Sequence, residues 1–126
     1  MSDIKQLLRY ETSQNLANAS LSATTDFGTN WMLRSVYVHV SGNITETVTL
    51  TFKSRTSANY NTTITAVSLS TQANTFLAAG SGYVFQTDDE LTITCTSANH
   101  TGTIYVTVLG EPWGRQAAGS TTNPGL

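Results

Sequence analysis

The sequence predicts an all-β domain: an antiparallel β-sandwich, jelly-roll-like, of seven or eight strands with extended N- and C-terminal arms. Three observations carry that prediction. Apolar and polar residues alternate with period two in one segment after another between Trp31 and Leu109. Turn-forming clusters interrupt those segments at short intervals. The composition also suits pleated surfaces: 23 Thr, 13 Ser and 9 Asn stand among 126 residues, while Asp, Glu, Lys and Arg make up only 11%. A typical domain carries about 25% charged residues.

Taken in chain order, the first element is an arm over residues 1–12. Ser2 is placed to cap a short helix with Ile4, Leu7 and Leu8 on one face. A helix of about eight residues does not persist alone, so it is expected to pack on the sandwich or on a partner. The sandwich itself is expected over 13–110. Asn15 to Ala23 has a loose alternation of Ala17, Ala19, Leu21 and Ala23, the mark of a weak strand. The run WMLRSVYVHV, from Trp31 to Val40, places Val36, Val38 and Val40 on one face and Tyr37 and His39 on the other. After the turn signal Ser41-Gly42-Asn43, Thr47 to Lys53 sets Val48, Leu50 and Phe52 against Thr47, Thr49 and Thr51.

A break at Ser57–Asn59 leads into Tyr60 to Leu69. There Tyr60, Thr62 and Ile64 share one parity and Val67 and Leu69 the other, which predicts a bulge near Thr65–Ala66. Thr75 to Ala79 and Tyr83 to Gln86 flank the turn Gly80-Ser81-Gly82. Asp88–Asp89 precedes a strand from Leu91 to Thr96, with Leu91, Ile93 and Cys95 on its apolar face. Ala98–Gly102 precedes the last strand, Thr103 to Leu109, with Ile104, Val106 and Val108. Threonine recurs opposite the apolar positions because its branched side chain suits a strand while its hydroxyl meets water. From Glu111 to Leu126 (EPWGRQAAGSTTNPGL) the periodicity is lost, and the segment reads as a tail anchored by Pro112 and Trp113.

Several function classes are excluded on composition. Six scattered basic residues do not form the stripe that phosphate neutralisation requires, so nucleic acid is not the expected partner. No stretch approaches the roughly 20 apolar residues of a membrane helix. The opening MSDIKQLLRY lacks a secretory apolar region, so synthesis without disulfides is expected. The single cysteine, Cys95, allows no internal disulfide and no multi-cysteine zinc site.

No cofactor and no metal are expected, because no catalytic or ligand spacing occurs. Asp88, Asp89 and Glu90 lack the spacing of a calcium loop and read as a solvated turn. His39 and His100 have no ligand partners at metal spacing, and Cys95 sits where a thiol acts as a small hydrophobe. Asn-x-Ser/Thr matches at Asn18, Asn43, Asn61 and Asn99 are expected by chance in so Ser/Thr-rich a chain. Tyr37, His39 and Tyr105 fall on outer strand faces. If their strands are neighbours, Tyr37 and Tyr105 lie side by side. They then form either a steadying cross-strand contact worth about 0.2–1 kcal/mol or a patch that docks a partner.

The succession Trp31–Val40, Glu46–Leu50, Tyr60–Leu69, Tyr83–Phe85 and Asp89-Glu90-Leu91-Thr92-Ile93-Thr94 resembles the small β-sandwich virion proteins of tailed bacteriophages, especially head decoration or cement proteins. The likeness covers residues 31–109 and brings no catalytic motif. It implies a jelly-roll-like fold, a homotrimer, synthesis in the host cytoplasm, and binding to the major capsid protein on the exterior of the virion. In that setting the arms cross to neighbouring subunits, with Ile4, Leu7, Leu8, Tyr10, Pro112 and Trp113 as contact candidates beside Tyr37, His39 and Tyr105. Deleting residues 1–12 is then expected to weaken attachment and leave the sandwich folded. Two other classes stay open: a tail or fibre component (adaptor or receptor-binding), and a carbohydrate-binding module using Tyr37, Tyr105 and Trp113. An enzyme is the least favoured class.

Overall fold

The structure, a computed structural model, describes residues 7–42, 44–69, 74–77, 83–96 and 102–113. Nine strands occur among them: β1 (Leu8–Asn15), β2 (Leu21–Thr25), β3 (Trp31–Gly42), β4 (Thr47–Lys53), β5 (Thr62–Ser68), β6 (Asn74–Leu77), the two-residue β7 (Val84–Phe85), β8 (Glu90–Cys95) and β9 (Gly102–Pro112). A 3-10 turn at Ala58–Tyr60 is the one helical element described. All pairings are antiparallel. One sheet has the order β1-β9-β3-β6, with β7 also on β3; the other has the order β2-β8-β4-β5. The pairs nest: β1 with β9, β2 with β8, β3 with β6, and β4 with β5.

Between the sheets lies one apolar cluster. The five-stranded sheet supplies Trp31, Leu33, Val36, Val38, Val40, Phe85, Ile104, Val106 and Val108. The other sheet supplies Leu21, Ala23, Val48, Leu50, Leu91, Ile93 and Cys95, while Leu16, Ile44 and Leu69 close it from the connections. Each large buried aliphatic or aromatic side chain contributes about 1.5–3 kcal/mol relative to exposure. This buried core is the main source of stability. The period-two reading of β3, β4, β8 and β9 matches this burial strand by strand.

Two bulges set the parity. Leu33 pairs with Gly110 and Ser35 with Leu109, so Arg34 is the extra residue on β3. Before it the odd-numbered Trp31 and Leu33 point inward; after it the even-numbered Val36, Val38 and Val40 do. In β5, Thr65 pairs with Leu50 and Thr63 with Thr51, which leaves Ile64 unpaired with β4. The bulge expected near Thr65–Ala66 is present, slightly earlier in the chain.

Both ends of the sheet depart from the sequence expectation. Leu8, expected on the apolar face of a short helix capped at Ser2, instead opens β1, which pairs with β9 from Leu8↔Gly110 to Asn15↔Thr103. Ile4 lies outside the described residues. A strand wins because the edge of β9 presents backbone donors and acceptors that need partners, whereas an isolated two-turn helix gains little. Residues 8–12 thus belong to the sheet and not to an arm. The weak strand expected over Asn15–Ala23 is instead the end of β1, a turn and the start of β2. Asn15 organises that turn, its carbonyl accepting from Asn18 N at 3.0 Å and its Oδ1 from Ala17 N at 3.0 Å. At the other terminus β9 runs on through Glu111 and Pro112, opposite Met32 and Trp31, so the tail begins later than 111. The expected turn at Gly80–Gly82, His100 and residues 114–126 lie outside the described residues.

At one end of the core the packing is aromatic. Trp31 stacks on Phe85 with ring centroids 4.3 Å apart and meets Phe27 edge-on at 4.7 Å. Phe52 reaches Phe85 at 5.0 Å. Gly110 lets the indole lie against the β9 backbone, since a Cβ there would stand 2.5 Å from Trp31 Cε3.

Candidate functional site

The outer face of the five-stranded sheet places side chains from β1, β9 and β3 in two transverse rows. Register pairs Ser13 with Tyr105 and Tyr105 with His39 in one row, and Glu11 with Thr107 and Thr107 with Tyr37 in the next. Tyr37 and Tyr105 are each 47% exposed. The expectation that β3 and β9 are neighbours holds, but their register does not set the two tyrosines side by side. His39 stands opposite Tyr105, with ring centroids 5.9 Å apart and planes tilted by 31°; Tyr37 lies on the diagonal. The bulge at Arg34 sets this register: it moves Tyr37 from opposite Val106 to opposite Thr107, two residues from Tyr105 on the same face.

On the β1 side of Tyr105 the face dips into a shallow open depression of about 310 Å³, lined by Glu11, Thr12, Ser13, Tyr105, Val106 and Thr107. Sequence reading named Tyr105 but missed Glu11, Ser13 and Thr107. The signal was available in LRYETSQN, whose alternate residues Arg9, Glu11, Ser13 and Asn15 are exposed while Leu8, Tyr10, Thr12 and Gln14 are half-buried. Leu8 and Tyr10, read as arm contacts, instead pack against the core from β1.

A second feature lies at one end of this sheet. The described chain enters at Leu7 and leaves at Trp113, and the pairing Leu8↔Gly110 puts both at the same end. Leu7 is 52% and Trp113 49% exposed. Trp113 is tied down by its backbone N–H, which donates to Asn30 O at 3.1 Å, and exposed Pro112 precedes it in pairing with Trp31. Beside them Arg34, the bulge residue, forms an ion pair with the buried carboxylate of Glu111.

The Asp88–Glu90 cluster forms the expected turn, with Asp88 exposed and Glu90 half-buried, but Asp89 is not solvated. Asp89 is buried, and its carboxylate accepts from Arg55 N at 2.8 Å and Gln86 N at 2.9 Å. The Arg55 guanidinium in turn donates to Thr87 O at 2.9 Å and Gln86 Oε1 at 2.8 Å. Asn30 Oδ1 accepts from Thr87 N at 2.7 Å. Asp88 adopts φ 78°, the left-handed conformation of a tight turn. This network joins three connections at the aromatic end of the core.

Cys95 is buried on the inner face of β8, and burial, reinforced by the nearby charge of Glu46, pushes its thiol up to about 11. Such a thiol is neutral and packs as an apolar group. Among the described residues no group of His, Cys, Asp and Glu is arranged to hold a metal ion. No described helix is long and apolar enough to cross a membrane. No protein-family model matches the chain, and no characterised protein resembles it closely enough to count as a relative.

Proposed function

We propose that this chain is a structural assembly protein of a virus particle, a decoration protein that binds the outer surface of a phage head as a homotrimer through non-covalent contacts. The observation that carries the reading is the exposed apolar pair Leu7 and Trp113 at one end of the five-stranded sheet. Large apolar side chains held out on a rigid scaffold gain most when a partner removes them from water, and Trp is enriched among residues that dominate interfaces. The nested strand pairs, first with last and inward from there, support a jelly-roll reading of the two-sheet fold. That architecture recurs in capsid proteins and in lectins, so by itself it does not choose a function. Low charge adds to the case: a free monomer ordinarily keeps more charge for solubility, and neutral interlocking contacts need none.

The test is a Leu7→Ser, Trp113→Ser double variant, scored by light scattering for native mass and by co-sedimentation with particles lacking the protein. Burial of a central Trp is worth about 2 kcal/mol or more, so binding should fall by roughly 30-fold while the folded signal is kept. Attachment and native mass equal to the parent would show that this end is not the contact surface.

A further inference from the structure

We propose that the outer face of the five-stranded sheet carries a subsite for a neutral saccharide, centred on Tyr105 and completed by Glu11, Ser13 and Thr107. Three features of the face converge on that ligand class. Tyr105 is half-exposed on a strand in the middle of the sheet, with His39 against it from the β3 side. The depression lies on its β1 side, so an apolar ring borders the cavity. Opposite and diagonal to that ring across the ladder stand the Ser13 hydroxyl and the Glu11 carboxylate, with the Thr107 hydroxyl two residues further along β9.

A pyranose needs this combination. One of its faces is lined with C–H groups and packs on an aromatic ring, while its rim of hydroxyls both donates and accepts hydrogen bonds. Glu11 supplies an acceptor, and the serine and threonine hydroxyls supply either role. The lining disfavours other classes. It contains a carboxylate and no lysine or arginine, which works against a phosphate, sulfate or acidic sugar, although Arg9, 3.9 Å from Glu11 in an exposed ion pair, offsets part of that charge. Its hydroxyls and carboxylate would be stripped of water by a hydrocarbon ligand without return. At about 310 Å³ the depression is at the small end of ligand sites, which run from about 300 to 1,000 Å³. Its open shape suits a terminal sugar or one unit of a longer glycan.

This site is separate from the docking end. Along β9, at about 3.4 Å per residue, Tyr105 lies roughly 25 Å from Trp113. A particle-bound copy attached by that end keeps this face in solvent.

Amide chemical-shift mapping of the full chain, titrated with methyl glycosides of glucose, galactose, mannose and N-acetylglucosamine and with cello- and chitotriose, tests the proposal. The expected result is a saturable shift at Ser13, Tyr105 and Thr107 with at least one of these neutral probes. Tyr105→Ala should weaken binding roughly tenfold, about the share of one aromatic contact. Glu11→Gln, which keeps shape and removes the charge, should weaken it severalfold, and Tyr37→Ala should leave it within twofold of the parent. Three results overturn the proposal: no shift at those residues with any neutral probe, equal binding by Tyr105→Ala, or shifts there only with a sulfated oligosaccharide.

Discussion

Gly110→Ala is the smallest perturbation that tests the packing at the aromatic end. The residue lies outside the left-handed region, so alanine meets no backbone strain there. On backbone entropy alone the change would stabilise the fold by about 0.4–1 kcal/mol. The added methyl, however, would stand 2.5 Å from Trp31 Cε3, 3.1 Å from Cζ3 and 3.2 Å from Met32 O. Carbon atoms pack at about 3.5–4.0 Å, so the indole must retreat by about 1 Å. It has nowhere to go: Trp31 is fully buried, Phe85 stacks on it at 4.3 Å and Phe27 abuts it at 4.7 Å. Overpacking of this kind costs about 1–3 kcal/mol, and the net loss after the entropic gain should be about 1–2 kcal/mol. In a domain of this size that lowers Tm by about 4–8 °C. Urea unfolding followed by circular dichroism measures the difference directly. A double-mutant cycle with Trp31→Phe isolates its cause, because the penalty should shrink once the benzo ring is gone. A stabilised Gly110→Ala protein, or a penalty unchanged in the Trp31→Phe background, would refute the packing argument.

The remaining expectations concern the termini, the buried carboxylate and the thiol. Removing residues 1–12 strips β9 of most of its β1 partner, so the protein should lose cooperative unfolding or aggregate, whereas removing 1–6 should leave Tm unchanged; thermal scans of both separate an arm from a strand. Asp89→Asn replaces a carboxylate that holds two backbone N–H groups and should cost about 1–3 kcal/mol in urea unfolding, since one of those donors loses its acceptor. Cys95 should resist an aromatic disulfide reagent in the native state and react at once in denaturant. Its thiol rises from 9.0 to about 11 on folding, so the native state holds the proton more tightly. That contribution to stability is intact below pH 9 and is lost as pH climbs through 11; Cys95→Ser should flatten the decline. A pH–stability curve identical in the serine variant would contradict the assignment.

How far the sequence could be read depended on how local each determinant is. β3, β4, β8 and β9 were legible because burial on one sheet face imposes period two on a few consecutive residues, and Val36 to Val40 or Val48 to Phe52 record it without help. β1 was not. Its inward positions are Leu8, Tyr10, Thr12 and Gln14, half of them polar because an edge strand is only half covered, and Ile4, Leu7 and Leu8 imitate a helical face. Its pairing is with β9, 88 to 102 residues further along the chain, and no local pattern reports that. The register of the candidate site escaped for a related reason. Tyr37, His39 and Tyr105 were correctly assigned to outer faces, but which of them meet depends on one extra residue at Arg34. The half-buried ion pair of that arginine with Glu111 likewise joins residues that sequence reading had put in a strand and a tail. Asp89 looked solvated because three consecutive acids usually are; the acceptor role emerges only when the β4–β5 connection brings Arg55 N to it.

The most direct test of the proposed role is electron cryomicroscopy of the particle from which this chain comes. A two-sheet β density fitted by residues 8–112, in three-fold groups on the outside of the head, with the Leu7 and Trp113 end turned toward the shell and the Tyr105 face toward solvent, is the expected result. Density for the chain in the tail or fibres, or on the head with the Tyr105 face buried against the shell, would contradict it.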